Sequence, residues 1–290
     1  MGSSGVFDRI TGLTGFYKFF QQNHFSSTYH GRIDKFYGKD RKWGVLKRGA
    51  AISELQLVLT HNGTPLYFTP SEGSYYQVKS TSMSGEVVNI LIFLAQGFED
   101  LEATAVRDVF GWTQYREHLP EVSVTTAGFH RTVRSRFGLT IKPDLLYHEI
   151  SPKQYQALVL PGGFHDHGFE EAYDPRIHKL ATEIHQSGGY IATMCVGILP
   201  IADAGLLQGK KANTYPYSRN HDNIGRLKDR GVKVVKDHVV MDDRIISCDG
   251  PGSSLEVAFL LMECLIGPDM TEEVKKYMIY DPTHRVPYHK

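Results

Sequence analysis

Cysteine is scarce in this 290-residue chain: Cys195, Cys248 and Cys264 are the only three, and no two of them form a Cys-x-x-Cys pair. An odd, unpaired set argues against a disulfide framework and fits a reducing compartment, so the cytoplasm is the expected location. Net charge is missing too, with 32 Lys and Arg against 32 Asp and Glu. A nucleic-acid binder would carry a basic excess, and none is expected here as a partner. No run approaches the roughly 18 continuous apolar residues of a membrane span, and the segment after Met1 lacks the basic-then-apolar start of a secretory signal. What is present is ordinary globular composition, 41% hydrophobic and 22% charged. That length holds one large domain, or one domain with an appendage.

Two regimes meet near Lys79 to Glu86, a Ser-rich stretch that reads as a linker. Upstream, aromatic residues from Phe16 to Trp43 are spread among polar ones, and residues 32–50 carry seven basic side chains against Asp34 and Asp40, an excess of five. Such a run is expected to be a solvated face, with contact to an anionic surface or a nucleic acid as the alternative. Leu55–Leu59 and Pro65–Phe68 flank His61-Asn62-Gly63-Thr64, the pattern of a β-hairpin on an Asn-Gly turn. Residues 1–85 are therefore taken as an N-terminal extension of uncertain fold, 86–280 as the main domain and 281–290 as a tail.

From residue 87 the pattern becomes regular. Val87–Leu94 is a β-branched apolar run, the mark of a strand buried on both faces. A helix is predicted over 101–112, then strands at 122–126, 139–141 and 157–160, a helix over 175–186, and a strand at 190–193. A short helix through Ile198 to Ala202 stops at Gly205, late strands fall at 232–235 and 244–247, and an apolar helix runs from Leu255 to Ile266. Alternation of this kind predicts an α/β fold with a mostly parallel sheet between two helical layers, whose ligands bind beyond the carboxyl ends of the strands.

Four of those ends carry chemistry. The first is Gly188-Gly189-Tyr190-Ile191-Ala192-Thr193-Met194-Cys195-Val196-Gly197, a buried strand that ends on a thiol and turns at once into a helix. A strand-to-helix elbow exposes its central side chain and points helix N–H groups at whatever that side chain attacks. The helix N-terminus favours negative charge, so Cys195 is expected to be partly thiolate near neutral pH; a buried structural cysteine is the plain alternative. The second is Gln96-Gly97-Phe98-Glu99-Asp100-Leu101-Glu102. Here Glu102 can lean over the sheet edge as a protonated carboxyl bonded to the thiol, or all three acids can simply complement a helix N-terminus. The third is Pro161-Gly162-Gly163, where paired glycines allow close backbone approach. An N–H from Gly162 or Gly163 together with that of Val196 would form an oxyanion hole, although a plain turn reads the same way. The fourth, Gly250-Pro251-Gly252-Ser253-Ser254, reads as structural support with Ser253 or Ser254 as a helix cap.

In order and spacing, these four motifs resemble the ThiJ/PfpI superfamily, closest to its DJ-1 or protein deglycase branch, over about residues 86–280. The resemblance implies a flavodoxin-like three-layer sandwich, usually a homodimer, with no cofactor and with Cys195 as nucleophile and Glu102 as its protonated partner. It also implies a small reactive carbonyl or a peroxide as the molecule acted on. Glyoxalase-type or deglycase-type chemistry is one reading, and a non-enzymatic oxidative-stress sensor or redox-regulated chaperone in which Cys195 oxidises to a sulfinate is the other. The chain departs from catalytically competent relatives in one respect: neither Val196 nor the segment Asn213-Thr214-Tyr215-Pro216 supplies the usual histidine. Peptidase activity is therefore not expected. His221 reads as a loop residue; His165 and His167 sit beside the glycine turn, where a base or a metal pair is the alternative, but an isolated His-x-His is usually neither and no metal site is expected.

Overall fold

The computed structural model describes residues 87–283 throughout and, upstream of them, only five short strands. The predicted linker, most of the basic run and the end of the expected tail lie outside the described residues. The chain divides into two compact units, Met1–Thr81 and Ser82–Lys290. In the first, Phe36–Gly38 pairs antiparallel with Arg41–Trp43. Leu57–His61, Thr64–Thr69 and Ser74–Gln77 form a three-stranded antiparallel sheet. His61 lies opposite Thr64, and the Asn62-Gly63 of the expected turn lies outside the described residues.

The second unit is built on a seven-stranded sheet. Its strands are β1 (Val88–Phe93), β2 (Val122–Gly128), β3 (Leu145–Leu146), β4 (Ala157–Leu160), β5 (Tyr190–Thr193), β6 (Val239–Asp242) and β7 (Ile245–Cys248). Across the sheet they run β3-β2-β1-β4-β5-β7-β6, parallel except for β6, which returns antiparallel beside β7. The helices are α1 (Asp100–Gly111), α2 (Pro175–Gln186), α3 (Ile198–Asp203), α4 (Asn223–Asp229), α5 (Ser254–Ile266) and α6 (Pro268–Tyr277). This is the flavodoxin-like sandwich.

Period-2 alternation splits each apolar strand between two cores. Leu91 and Phe93 of β1 join Leu158, Leu160 and Ile191 under α2 and α3, where Ile177, Leu180, Ile184 and Leu199 close the layer. Ile90, Ile92 and Leu94 point the other way, onto Val106, Val109 and Phe110 of α1 and Val257, Leu261 and Met262 of α5. Each such side chain contributes about 1.5–3 kcal/mol of burial, so the central strands are the anchored part of the molecule.

Two predicted strands lie elsewhere. Thr140–Ile141 folds back on Val133–Arg134, and Lys233–Val234 pairs with Lys211–Ala212 in a separate two-stranded ladder. Neither serine acts as the expected side-chain cap of α5: the Ser253 hydroxyl meets Asp249 Oδ1 at 3.3 Å, and that of Ser254 donates to the Pro251 carbonyl at 2.8 Å. Among the described residues no helix is long and apolar enough to cross a membrane.

Candidate active site

From β1 the chain moves outward to β2 and β3, then returns to β4 on the other flank of β1. The carboxyl ends of β1, β4 and β5 therefore border a topological switch point, where a crevice opens between diverging connections. Cys195, Glu102 and the Gly162-Gly163 turn all sit at those three ends.

Cys195 occupies the left-handed region at φ 52°. For a non-glycine residue that conformation costs on the order of 1–3 kcal/mol and persists only where the surroundings impose it. They do so through three contacts. Gly197 N–H bonds back to the Met194 carbonyl at 2.8 Å, Thr214 Oγ1 donates to the Cys195 carbonyl at 3.0 Å, and the elbow presses onto β4. A Cβ on Gly197 would lie 2.3 Å from the Leu160 carbonyl oxygen, so only glycine permits that approach.

The electrostatics of the thiol run opposite to the sequence-based expectation. Burial raises the Cys195 pKa well above its ordinary value, and the Glu102 charge adds to the rise; the Val196 N–H, which bonds the sulfur, opposes both. The helix expected to lower it is short, Ile198–Asp203, and is reached through a 3-10 turn over Cys195–Gly197. Its end effect is smaller than the cost of taking a thiolate out of water.

The three acids after β1 divide their tasks. Glu99 caps α1, its Oε2 accepting the Glu102 N–H at 2.8 Å, and Asp100 accepts from Ser135 Oγ at 2.7 Å and Phe137 N–H at 3.1 Å. Glu102 instead turns inward and is wholly buried. Its Oε2 accepts the Gly162 N–H at 2.6 Å, its Oε1 has no hydrogen-bond partner, and the carboxyl lies within hydrogen-bonding reach of the Cys195 thiol. Burial first, and the Glu99 charge second, push its pKa up to about 8. The carboxyl is mostly protonated at neutral pH.

Of the amides considered for an oxyanion hole, Gly162 has its N–H committed to Glu102. Gly163 forms an isolated bridge with Phe98 whose hydrogen bonds run through Glu99 N–H and Phe164 N–H, leaving its own N–H unengaged. Val196 N–H points at the sulfur.

The histidines are where sequence reasoning saw least. His165 and His221, 56 positions apart, meet with ring centroids 4.6 Å apart, and His165 stacks on Tyr173 at 5.6 Å. Arg226 lies over the other side of this group, 4.3 Å from the Tyr173 ring, and is held by Asp203. Tyr173 interacts electrostatically with Cys195, and its buried hydroxyl has no partner. Burial lowers the His165 pKa, partly offset by Glu170 at 3.2 Å, so the ring is neutral at pH 7. His167 turns away to Arg136 at 2.8 Å, and among the described residues no three metal-ligating side chains converge. No local pattern announces this cluster, because it assembles from the connection between β4 and α2, the loop before α4 and α4 itself.

The fold and site define an α/β sandwich with a cysteine on a strained elbow at the switch point and a buried carboxyl beside it. The chain belongs to the DJ-1/PfpI family, whose model matches residues 88–264. It is 28% identical to DJ-1 homolog A of Arabidopsis thaliana over 202 residues, which is 69% of this chain but only 48% of that protein. A deglycase PfpI of Pyrococcus furiosus is 29% identical over 170 residues, 57% of this chain and 92% of its own. A glutathione-independent glyoxalase of Caenorhabditis elegans is 28% identical over 144 residues, 50% of this chain and 73% of its own. Among solved structures, Drosophila melanogaster DJ-1beta superposes with a TM-score of 0.59 at 26% identity, covering 68% of this chain and 100% of that one.

Proposed function

We propose that this protein is a cysteine-dependent enzyme acting on small reactive carbonyls such as methylglyoxal or its adducts. The observation that carries the reading is the pairing of Cys195, held at φ 52° on its elbow, with the buried carboxyl of Glu102. In the proposed step the Cys195 sulfur bonds to the carbonyl carbon while the C=O π pair moves onto oxygen. The N–H groups of Gly163 and Val196 then donate to that oxygen, Val196 being released from the sulfur as the C–S bond forms. A carboxyl with pKa about 8 is about one-tenth ionised at pH 7, enough for Glu102 to take the thiol proton at Oε1 and pass it on. His165, neutral beside Tyr173, supplies a base for water in a hydrolytic half-reaction. Relatives named as a deglycase and a glyoxalase support the carbonyl class. The missing histidine at Val196 and Tyr215 argues against peptide cleavage. Incubation of the purified full chain with methylglyoxal tests the step: Cys195→Ala should lose turnover to background, and equal consumption by variant and parent would refute the mechanism.

One observation favours a second reading, the peroxide sensor. The unpartnered Oε1 of the protonated Glu102 is placed to donate to an oxygen on an oxidised Cys195 sulfur, which would stabilise a sulfinate. Mass spectrometry after mild peroxide separates the two, because a sensor forms a stable Cys195 adduct without carbonyl turnover. In either case we take the working form to be a cytoplasmic homodimer. Support for self-association comes from exposed Phe137, packed on Phe164 and beside α1, in a neighbourhood that also exposes Leu101 and Leu139. Light scattering on the purified chain reports the oligomeric state.

A further inference from the structure

Cys248 is a fully buried thiol to which the carbonyl chemistry assigns no task. It ends β7, the parallel neighbour of β5. Ile191 pairs with Ile245 and Ala192 with Ile246, and continuing that register places Met194 beside Cys248, one residue before the elbow. The Cys195 backbone N–H is bonded to the Cys248 sulfur, and the Cys248 thiol in turn donates to the Gly250 carbonyl at 3.3 Å. Cys195 packs against the same core as Met194 and Cys248, and the Glu102 charge acts on both sulfurs. Three protonatable groups thus share one enclosed corner under the sheet's carboxyl edge. Parallel strands lie about 4.8 Å apart and rise about 3.3 Å per residue, so diagonal neighbours have Cα atoms about 6 Å apart, within the range a disulfide spans.

We propose that Cys248 is the resolving thiol for an oxidised Cys195, the two closing an intramolecular disulfide when the protein meets a hydroperoxide. This rests on reading Cys195 as a reactive thiol. In the first step the Cys195 sulfur attacks the hydroperoxide; an S–O bond forms, the O–O bond breaks, and the remaining fragment leaves as water or an alcohol with the thiol proton. In the second, the Cys248 sulfur attacks the Cys195 sulfur; an S–S bond forms, the S–O bond breaks, and hydroxide leaves as water with the Cys248 proton. The two sulfurs together lose two electrons, and the hydroperoxide gains them.

Competition between products follows from molecularity. Oxidation of a sulfenic acid onward to sulfinate needs a second peroxide molecule, whereas Cys248 is already in place at a fixed effective concentration. Low peroxide should give disulfide and high peroxide sulfinate. Burial pushes the Cys248 thiol up to about 12, which keeps it inert toward outside reagents until a leaving oxygen stands beside it.

The test uses the reduced full chain with hydrogen peroxide and no added thiol, followed by alkylation, intact mass and tryptic mapping. At the lowest dose that oxidises half of Cys195, the modified half should lose about 2 Da and carry a peptide cross-link between Cys195 and Cys248. Two of its three thiols should resist alkylation, Cys264 alone remaining reactive. The proposal is overturned if that dose instead adds oxygen to Cys195 while Cys248 stays alkylatable, or if the cross-link joins Cys264 or a second chain. If neither cysteine is oxidised at any dose, the reading of Cys195 as reactive fails first and takes this one with it. Cys248→Ser keeps an acceptor for the Cys195 N–H and a donor for Gly250, and should raise low-dose sulfinate at least fivefold. A Cys248→Ser chain that matches the parent in product overturns the proposal. Should that variant misfold by circular dichroism, the parent's cross-link map decides.

Discussion

Glu102→Gln isolates the most consequential ionisation in the molecule. Glu102 has a folded-state pKa of about 8 against an ordinary 4.5, raised chiefly by burial and then by Glu99. Below pH 4.5 the carboxyl is protonated whether the chain is folded or not, and stability is unaffected. Between 4.5 and 8 the unfolded chain releases a proton that the folded chain keeps, so stability falls as pH rises, by about 1.4 kcal/mol per unit. Above 8 both states are ionised and the loss is complete. The span of 8 minus 4.5 is 3.5 units, or about 5 kcal/mol on an order-of-magnitude scale. Glutamine keeps an oxygen for the Gly162 N–H and an amide for the sulfur, and it does not titrate. Urea denaturation of parent and variant at pH 5.5, 6.5 and 7.5 should therefore show the variant gaining about 1.4 kcal/mol on the parent with each step. Other titrating groups cancel in the difference. A gap that stays flat across this range would mean that Glu102 ionises as freely inside the fold as outside it; the protonated donor of the sensor reading and the near-neutral acid–base of the carbonyl reading would both be lost.

Two further substitutions test the site's construction. Gly197→Ala drives a methyl onto the Leu160 carbonyl oxygen, 2.3 Å away, and should cost about 3 kcal/mol or more in a denaturation assay; a loss below about 1 kcal/mol would show that the elbow does not depend on that approach. Tyr173→Phe removes a buried hydroxyl that has no partner, so stability should hold or rise by about 1 kcal/mol. Methylglyoxal turnover should nonetheless drop about tenfold if that hydroxyl meets the substrate, and unchanged turnover would assign Tyr173 to packing alone.

The fold was legible because its signals are local. Val88–Phe93 is apolar at every second position in both registers apart from Asn89, and such a strand has to be covered on both faces. The edges were less legible for the same reason. Val239–Asp242 is half-exposed, and Leu145–Leu146 contributes only two residues, too few for any period to register. Lys233–Val234 has strand-like composition but pairs outside the main sheet, a choice made by tertiary contacts. At the site, Cys195, Glu102, Gly163 and Val196 could be located because strand ends converge at a switch point by topology alone. The contacts of His165 with His221 and with Tyr173 depend on how segments distant in sequence come together in the fold.

The protonation state of Cys195 was misread for a reason that bears on its chemistry. A helix terminus is a local feature and contributes about 0.3–1 kcal/mol toward the anion, up to about 2 when partly buried. Desolvation is a property of the whole fold and commonly outweighs it for an enclosed group. The thiol therefore rests protonated beside a protonated carboxyl, and the proposed reactivity has to come from placement: an elbow that aims the sulfur, a Val196 N–H on it, an unengaged Gly163 N–H nearby and a carboxyl that changes state near pH 8. Such a thiol suits electrophiles whose addition generates an oxyanion the amides can hold, as a carbonyl does. It suits poorly the attack on a peptide bond, where a standing thiolate and a paired imidazole share the work. The rate of Cys195 alkylation should accordingly rise with pH from 7 through 9 without a plateau, and a plateau already reached at pH 7 would show that burial does not govern this sulfur.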